Sequence, residues 1–481
     1  MTSFCLCKTM SLPVFFVNFA RTLSFVWQRR AFNQPKSLRN FIMQQIPKAE
    51  MNYEETIEYL FNATPVFEKT GASAYKEGLS NTLAFDEHFN HPHTHYATIH
   101  VAGTNGKGSC SHTLAAILQC AGYKVGLYTS PHLVDFRERI RINGECIGKQ
   151  YVIDFVEKER KFFEPLSPSF FELTTAMAFK YFADEGIDIA VVEVGLGGRL
   201  DCTNIINPIL SIITNISLDH TQFLGNTLAK IAGEKAGIIK HNVPVVIGET
   251  TDETRPVFQE TANRQGAPLL FAEENPEVTA TRTDGINGME YTTRSFGTLH
   301  GELQGAYQTK NANTILKAVK VLHDLGVIKD TAPIARGFEN VCSLTGLMGR
   351  WQKIGDSPVT VCDTGHNVGG WQYLGRQISA QPCRTLRIVF GMVDDKDIDH
   401  VMDLLPKNAV YYFTQATTNR AIPCETVKTD GEKHGLYGEC YATVSDAYIK
   451  AQSDSAPDDF IFIGGSSYIV ADLLTYLENN K

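Results

Sequence analysis

The sequence predicts an α/β protein with two domains, each built on a doubly wound and mostly parallel sheet. Its 481 residues exceed the size at which a single hydrophobic core keeps growing. Runs rich in β-branched residues, such as Ile189–Val194, alternate with helical patterns along the chain, as in doubly wound folds. A glycine-containing connector, Ser343–Arg350, precedes a second series of this kind. We therefore expect a first domain over 51–345 and a smaller second domain over 350–481.

Apolar periodicity places the elements of the first domain in order. Spacings of three and four residues predict helices, and short β-branched runs predict strands. Residues 273–305, rich in threonine, glycine and charge, interrupt the alternation and predict hairpins or a surface insertion. The predicted helices are Tyr53–Ala63, Cys110–Ala121, Val152–Phe163, Phe170–Glu185, Thr227–Lys240, Thr254–Gln265, Gln308–Leu325 and Ala332–Val341. The predicted strands are Ala97–Val101, Lys124–Tyr128, Ile187–Val194, Leu210–Thr214, Val243–Ile247 and Pro268–Phe271.

The same criteria give a shorter series in the second domain. They predict strands Val359–Cys362, Leu386–Phe390, Val410–Thr414 and Phe460–Ile463. They predict helices Gly369–Ser379, Ile398–Leu405 and Tyr468–Leu477.

Composition and charge limit the function classes. With 43% hydrophobic and 20% charged residues, the chain has the balance of a globular protein in water. Its net charge of −9 gives no general attraction to nucleic acid or to an anionic membrane, so we expect neither as a partner. Eleven scattered cysteines without a C-x-x-C pair favour a reducing, intracellular compartment.

The first fifty residues differ from the rest. Seven lysines and arginines and no acidic residue precede Glu50, a composition typical of an organelle transit peptide. The apolar stretch Leu12–Trp27 is a poor membrane span because Asn18 and Arg21 interrupt it. The other interpretation is an upstream extension, disordered or spurious, with the natural start at Met43 or Met51. We favour that interpretation, and with it a cytoplasmic location over an organellar one.

One glycine-rich stretch, Gly103–Ser109, lies between a predicted strand and a predicted helix. Its three glycines let backbone N–H groups approach a ligand, and the helix start adds unpaired N–H groups and a positive dipole end. Lys107 adds a charge and Ser109 a hydroxyl. The pattern predicts a nucleotide phosphate site, although Gly108 separates the lysine from the serine, unlike the common phosphate loop. An ordinary turn is the alternative.

Polar residues follow three other strands. In parallel sheets, ligands bind at the carboxyl ends of the strands. Ser130, Glu193 and His220 stand at such ends and could hold magnesium beside bound phosphates. Taken singly, each could be a structural residue instead.

Eight segments, in this order, resemble the bacterial type of the folylpolyglutamate synthase and dihydrofolate synthase family of the Mur ligase superfamily. The resemblance runs from about Met51 to the C-terminus, and residues 1–50 do not take part in it. The segments are Gly103–Ser109, Tyr128–Leu133, Arg137–Ile140, Glu193–Asp201, Leu218–Thr221, Gly233–Ile238, Gly349–Gln352 and Asp363–Asn367.

The resemblance implies a P-loop ATPase-like first domain, a Rossmann-like glutamate-ligase second domain and an ATP-dependent amide ligase. ATP would phosphorylate the carboxylate of dihydropteroate or of a folate's terminal glutamate, and L-glutamate would displace the phosphate. The activity would be tetrahydrofolate synthase, dihydrofolate synthase or both. The implied cofactors are ATP and two Mg²⁺ ions, with a monovalent cation also allowed. The implied partners are small molecules, and because one chain would complete the site we expect a monomer.

The resemblance also implies roles for individual residues. Lys107, Lys235 and His366 would be catalytic, with Lys235 carbamylated to support a magnesium site. Ser130, Glu193 and His220 would bind magnesium. ATP would contact Thr104, Asn105, Gly106, Lys107, Gly108, Ser109, Asn311, Arg350 and Asp363. The pterin substrate would contact Ala74, Tyr75, Lys76, Glu77, Ser169, Phe170, Phe171, Glu172, Leu200, Asp201 and Cys202.

Each role has a structural alternative. Lys235 could be a solvated helix residue and Asn311 a helix cap. Arg350 could belong to a surface ion pair, and the two phenylalanines, Phe170 and Phe171, could be core. At the level of the whole chain there are two alternatives. One is a Mur-type ligase of cell-wall precursors, although the segments Leu196–Asp201 and Ser130–His132 argue against it. The other is a non-catalytic nucleotide-binding module.

Overall fold

The computed structural model describes residues 51–63, 78–283, 288–394 and 396–480. Two of the sequence predictions, the extension 1–50 and the substrate segment Ala74–Glu77, lie outside these residues. Strands and helices alternate through the described chain and form two large, mainly parallel sheets and one small antiparallel sheet. The predicted boundary at 345–350 lies between the elements of the two large sheets.

The first sheet has eight strands in the order β4-β3-β2-β5-β1-β6-β7-β8. Strand β1 lies centrally and pairs in parallel with β5 and β6, while β3 and β4 form an antiparallel edge. A central parallel strand buries both faces, which accounts for its continuous apolar sequence. The strands are β1 (Ala97–Ala102), β2 (Val125–Tyr128), β3 (Ile140–Ile142), β4 (Glu145–Cys146), β5 (Ile189–Glu193), β6 (Leu210–Ile213), β7 (Val245–Ile247) and β8 (Leu269–Phe271).

The small sheet confirms the hairpins predicted for 273–305. Its antiparallel strands are β9 (Val278–Thr283), β10 (Met289–Thr293) and β11 (Thr298–Gly301). Met289, Tyr291 and Leu299 are buried and join the core of the first sheet. This insertion is therefore packed on one face rather than detached from the domain.

The second large sheet has six strands in the order β12-β13-β17-β14-β15-β16. Only β12 runs antiparallel to its neighbour. The strands are β12 (Gln352–Asp356), β13 (Val359–Asp363), β14 (Leu386–Phe390), β15 (Val410–Phe413), β16 (Gly438–Cys440) and β17 (Phe460–Gly464).

Helices cover both faces of the two large sheets. On one face of the first sheet, Ile99 and Val101 of β1 pack in a core with the helices that follow β1 and β11. On the opposite face, Val192 of β5 packs in a second core. The helices are α1 (Tyr53–Ala63), α2 (Ser80–His88), α3 (Lys107–Cys120), α4 (Lys149–Phe163), α5 (Phe170–Asp184), α6 (Thr221–Leu224), α7 (Leu228–Ala236), α8 (Arg255–Gln265), α9 (Gln308–Asp324), α10 (Ala332–Glu339), α11 (Val341–Thr345), α12 (Val368–Ser379), α13 (Ile398–Leu404), α14 (Cys424–Lys433), α15 (Val444–Ser453) and α16 (Ser467–Asn479). Among the described residues, no helix is long and apolar enough to cross a membrane.

Several short elements were not predicted, namely β3, β4, β12, α6 and α11, and two larger differences from the predicted elements have a physical reason. The helix predicted from Cys110 begins three residues earlier, at Lys107. The residue before it, Gly106, has a left-handed backbone conformation, which ends the glycine-rich turn and allows the helix to begin at the next residue. Between 415 and 459 no elements were predicted, yet α14, β16 and α15 lie there. Helix α14 buries only Cys424, Val427 and Gly431, so its apolar pattern is too sparse to indicate a helix.

Candidate active site

The glycine-rich loop connects the end of β1 to the start of α3 at the carboxyl edge of the first sheet. Gly103 and Gly106 have φ values of 146° and 83°, where other residues are strained. A side chain at Gly103 would run into Thr214, and one at Gly106 into Asn311. A Cβ on Gly108 would instead point toward Arg350 and Glu193, at 3.3 and 3.9 Å. The loop therefore wraps tightly against the protein on one side and faces charged groups on the other.

Hydrogen bonds from the strand-end segment after β6 hold this loop in place. Asn215 accepts from the backbone N–H of Thr104 through its carbonyl and from that of Asn105 through its side chain, each at 2.9 Å. The Thr104 hydroxyl donates to the Ser217 carbonyl and accepts from the Ser217 backbone N–H. Lys107 folds back and donates its Nζ to the carbonyls of Gly103 and Thr104, at 3.1 and 3.2 Å. The ammonium group thus lies over the loop, where the sequence predicted it.

The three predicted metal ligands lie around the same loop. Glu193 ends β5, is 4% exposed and accepts a hydrogen bond from the backbone N–H of Ser130. Burial raises the pKa of Glu193 to about 7, although Lys107 and Arg350 act in the opposite direction. His220 follows β6 with a left-handed backbone, φ 48°. Glu193 and Ser130 offer the oxygen donors that a hard divalent ion prefers, and His220 adds a nitrogen donor in the same cleft.

Lys235, on α7, is only 4% exposed, so its interpretation as a solvated helix residue was wrong. Burial, together with the nearby charge of Lys107, lowers the pKa of its ammonium group to about 7. A lysine whose amine is partly neutral at pH 7 is unusual, which marks this side chain as a chemically distinct group in the site.

Asp363, at the end of β13, is buried and fully hydrogen-bonded. Its carboxylate accepts from the Tyr307 hydroxyl and the Trp351 backbone N–H, both at 2.7 Å, and from the Gly365 N–H at 2.8 Å. Burial raises its pKa, while Arg350 opposes that shift. Arg350 bonds Gly349 and Thr364 rather than a surface acid, so its surface-ion-pair interpretation was also wrong.

Asn311 lies in the first turn of α9 rather than at its cap, which is Tyr307. Its amide donates to Gln308 Oε1 at 2.8 Å, and Gln308 donates in turn to the Ser109 hydroxyl at 3.3 Å. The helix-cap alternative for Asn311 is therefore wrong. Asn311 instead closes one side of the phosphate loop, against Gly106.

Three side chains that were not predicted as site residues connect the two sheets. Asn105 and Asn367 exchange amide hydrogen bonds at 2.9 and 3.2 Å. Lys396 forms an ion pair with Asp219 at 2.7 Å, and His366 Nε2 lies 3.5 Å from the same carboxylate. Burial acts to raise the pKa of Asp219, but His366 and Lys396 hold it well below its usual range. Asp219 and Asn367 lie inside motifs quoted above, whereas nothing in the sequence singled out Lys396.

These groups line one cleft of about 560 Å³ between the two sheets. Every described residue predicted to bind ATP, metal or substrate contributes to its wall. They are Thr104, Asn105, Gly106, Lys107, Gly108, Ser109, Ser130, Ser169, Phe170, Phe171, Glu172, Glu193, Leu200, Asp201, Cys202, His220, Lys235, Asn311, Arg350, Asp363 and His366.

The segment Ser169–Glu172, predicted to contact the pterin, also has structural roles. Ser169 and Glu172 cap α5 reciprocally, with the serine hydroxyl accepting from the Glu172 N–H and the carboxylate accepting from the Ser169 N–H. Phe170 is 2% exposed and stacks on Phe61 at 4.7 Å between ring centroids, as core residues do. Phe171 is more open, 5.9 Å from the ring of Tyr128. Of the two rings, Phe171 offers the accessible surface.

Comparison with known proteins agrees with this geometry. The Mur ligase middle domain matches residues 101–318, and the Mur ligase glutamate ligase domain matches 349–467. The folylpolyglutamate synthase of Lacticaseibacillus casei is 31% identical over 451 residues, covering 90% of this chain and all of that protein. The chain belongs to the folylpolyglutamate synthase and dihydrofolate synthase family. This confirms the resemblance carried by the eight motifs, and with it the Mur ligase fold.

Other members of the family show the same extent of similarity. The dihydrofolate synthase/folylpolyglutamate synthase of Escherichia coli is 32% identical over 390 residues, or 79% of this chain and 86% of that protein. A probable bifunctional folylpolyglutamate synthase/dihydropteroate synthase of Haloferax volcanii is 32% identical over 438 residues, but this chain spans only 50% of its length. Among solved structures, E. coli FolC in complex with DHPP and ADP has a TM-score of 0.74 at 28% identity, over 90% of this chain and 99% of that one.

Proposed function

We propose that this protein is an ATP-dependent ligase that adds L-glutamate to dihydropteroate, to folates or to both, through an acyl phosphate. One observation carries the proposal: the phosphate loop, the buried Glu193 with Ser130 and His220, and Lys235 share a cleft with Arg350, Asp363 and His366 of the second sheet. The names of the family members support the same reaction class, the formation of a carbon–nitrogen bond.

The phosphate loop would hold ATP. The first N–H groups of a helix have no partner within it, so those of α3 would donate to phosphate oxygens. Lys107 would exchange its two carbonyl contacts for the β- and γ-phosphates. Asn311, beside the loop, would contact adenine, while Arg350 and Asp363 would reach the nucleotide from the second sheet. Two solved relatives are described as complexes with ADP, which supports this assignment.

Ser130, Glu193 and His220 would hold magnesium. Their donor atoms fit a hard divalent ion, and Glu193 is a buried carboxylate whose ionised form a cation would favour. When bound, the metal would supply charge neutralisation for phosphoryl transfer. A relative from Yersinia pestis is described as complexed with AMPPNP and Mn ion. The second Mg²⁺ and a monovalent cation belong to the proposal on family resemblance alone.

Lys235 would carry a carbamate. The neutral amine would attack the carbon of CO₂, forming an N–C bond as one C=O π bond opens and one N–H proton leaves to solvent, so that a neutral group becomes an anion. The burial that lowers the pKa of Lys235 to about 7 supplies the neutral amine that this step needs. The resulting carboxylate would support the magnesium site.

In the reaction, a carboxylate oxygen of the acceptor would take the γ-phosphoryl group of ATP. The amine of L-glutamate would then attack the carbonyl carbon, and phosphate would leave. Lys107 and Arg350 would balance the charge of the anions they meet. His366, which the resemblance implies to be catalytic, donates Nδ1–H to the Thr364 carbonyl at 3.0 Å and directs Nε2 to Asp219, so it would act by positioning that carboxylate in the cleft. A site between the sheets would keep water from the acyl phosphate.

The acceptor would lie along Phe171, Leu200 and Cys202, with the Ala74–Glu77 segment as a further candidate. We also propose that the chain consists of two domains, 51–345 and 350–481. Because one chain lines the cleft, we propose that the protein acts as a monomer. We propose a cytoplasmic location.

A glutamate-incorporation assay with phosphate release tests the proposal. Dihydropteroate and tetrahydrofolate monoglutamate are compared as acceptors, each with ATP, Mg²⁺ and L-glutamate. Incorporation with the first identifies dihydrofolate synthase activity, incorporation with the second identifies tetrahydrofolate synthase activity, and both together indicate a bifunctional enzyme. If ATP turnover does not depend on L-glutamate with either acceptor, the proposal is contradicted and a non-catalytic nucleotide-binding module is favoured. Turnover only with a cell-wall precursor would favour the Mur-type alternative.

A further inference from the structure

Outside the cleft, two cysteines and a glutamate meet at the edge of the second sheet. Cys424 is the first residue of α14, Glu425 follows it, and Cys440 ends β16. The two Sγ atoms and a Glu425 carboxylate oxygen all lie within 4.8 Å of one another. Cys424 is buried, Cys440 is half-buried and Glu425 is exposed. We refer to these three residues as the thiol cluster.

The local fold fixes this juxtaposition. Strand β16 pairs in parallel with β15, and Cys440 packs against the core that buries Val427 of α14 and Leu436 of the connection to β16. The Cys424 N–H donates to Gln415 Oε1 at 3.0 Å, which anchors the start of the helix. One turn further along α14, Lys428 pairs with Glu439 at 2.9 Å across the same helix–strand contact. The cluster is thus held by packing and by hydrogen bonds on both sides.

The donor atoms match a thiophilic divalent ion. Zinc binds thiolate sulfur at about 2.3 Å and carboxylate oxygen at about 2.0–2.2 Å in tetrahedral geometry, which places ligand atoms about 3.8 Å apart or less. A small contraction of the present cluster meets that requirement. Thiolate ligands suit a softer ion than magnesium, so the cluster differs in chemistry from the carboxylate, hydroxyl and imidazole groups proposed to hold magnesium in the cleft.

Metal binding at this cluster must displace thiol protons. Burial, together with hydrogen bonds to Cys424 and Glu425, raises the pKa of Cys440 to about 12, so the proposal stands on the geometry of the three donor atoms. A coordinated thiol is deprotonated, and metal binding at the cluster should therefore strengthen as the pH rises.

We propose that Cys424, Glu425 and Cys440 bind one thiophilic divalent ion of the Zn²⁺ type, with the fourth position open to water beside the exposed Glu425. On binding, two metal–sulfur bonds form, the two thiol protons leave to solvent, and no electron is transferred. The ion fastens the start of α14 to β16. The loop before α14 carries Arg420, which lines the cleft, so the site also braces that loop.

Cobalt substitution tests the proposal directly. The full chain is titrated with Co²⁺ under a phosphine reductant and excess Mg²⁺, and the near-ultraviolet sulfur-to-cobalt absorption is recorded. That absorption reports thiolate ligands only, so a metal in the cleft does not contribute to it. We expect one such site per chain, abolished by Zn²⁺ competition and by Cys424→Ser or Cys440→Ser. Cys383→Ser, a half-buried cysteine outside the cluster, is the matched control and should retain the band.

A second measurement guards against a serine variant that fails to fold. Because Glu425 is exposed, Glu425→Gln should keep the fold, lose about tenfold or more in Zn²⁺ affinity and show a smaller Zn²⁺-induced rise in melting temperature. Absence of a thiolate band in the wild-type chain overturns the proposal, as does a band that survives both serine variants. Unchanged affinity in Glu425→Gln overturns the assignment of the carboxylate.

Discussion

The two sides of the cleft are built in different ways. On the first sheet, backbone geometry dominates: Gly103 and Gly106 shape the loop, and buried Glu193 and Lys235 have strongly shifted pKa values. On the second sheet, the site consists of side chains on loops that reach across, such as Lys396 to Asp219. The first side carries the charged chemistry within a rigid core. The second side aligns with it through a few polar contacts.

This difference predicts how variants will behave. Removing a charged group from the first side deletes chemistry, so the loss should be large and appear in kcat. Removing a contact from the second side leaves the chemistry present but poorly aligned, so the loss should be moderate and appear mainly in KM. The three predictions on catalysis below test this contrast, in order of decreasing effect.

Lys107→Ala should have the largest effect. The ammonium group lies over the phosphate loop and donates to two of its carbonyls. We expect glutamate-dependent phosphate release to fall by about a thousandfold or more, with the circular dichroism spectrum and melting temperature unchanged. Lys230→Ala, on the exposed face of α7, is the matched control. Ligation retained in Lys107→Ala would remove this residue from the ATP site.

Lys235→Ala should lose about a hundredfold in kcat, because the carbamate that supports the metal site cannot form. Intact-protein mass spectrometry of the wild-type chain under bicarbonate should show the added mass of CO₂, and the variant should not. Added short-chain carboxylates should restore part of the variant's activity. A wild-type chain without the adduct and without bicarbonate dependence would contradict the carbamate.

The same contrast explains what could be predicted from the sequence. The first side was found because glycine spacing and strand-end residues such as Glu193 are local signals that need no knowledge of distant contacts. Lys235 was assigned through resemblance alone, since its burial depends on how α7 packs. Lys396 was missed because only tertiary structure brings it to Asp219, 177 residues away. The thiol cluster was missed for the same reason, as its cysteines have no ligand-like spacing in sequence.

Lys396→Ala should have a moderate effect. It removes the ion pair with Asp219 but leaves Asn367 and His366 as partners of that carboxylate. We expect KM for L-glutamate to rise by about tenfold, with kcat changed by about threefold or less and ADP affinity unchanged. Lys450→Ala, an exposed lysine paired with Asp454, serves as the control. A fall in kcat with no change in KM would indicate that Lys396 takes part in chemistry rather than alignment.

A chain that begins at Met51 should show the smallest effect, because both matched domains, 101–318 and 349–467, follow that position. The Met51 N–H already donates to Glu157 Oε1 at 2.8 Å, so a charged amino terminus there would keep this contact and strengthen it. Helix α1 packs on α4 and would retain its anchor. We expect kcat, both KM values and the melting temperature to match those of the full chain. Loss of soluble protein on truncation would show that residues 1–50 contribute to folding. The first side of the cleft would then not be stabilised by its own core alone.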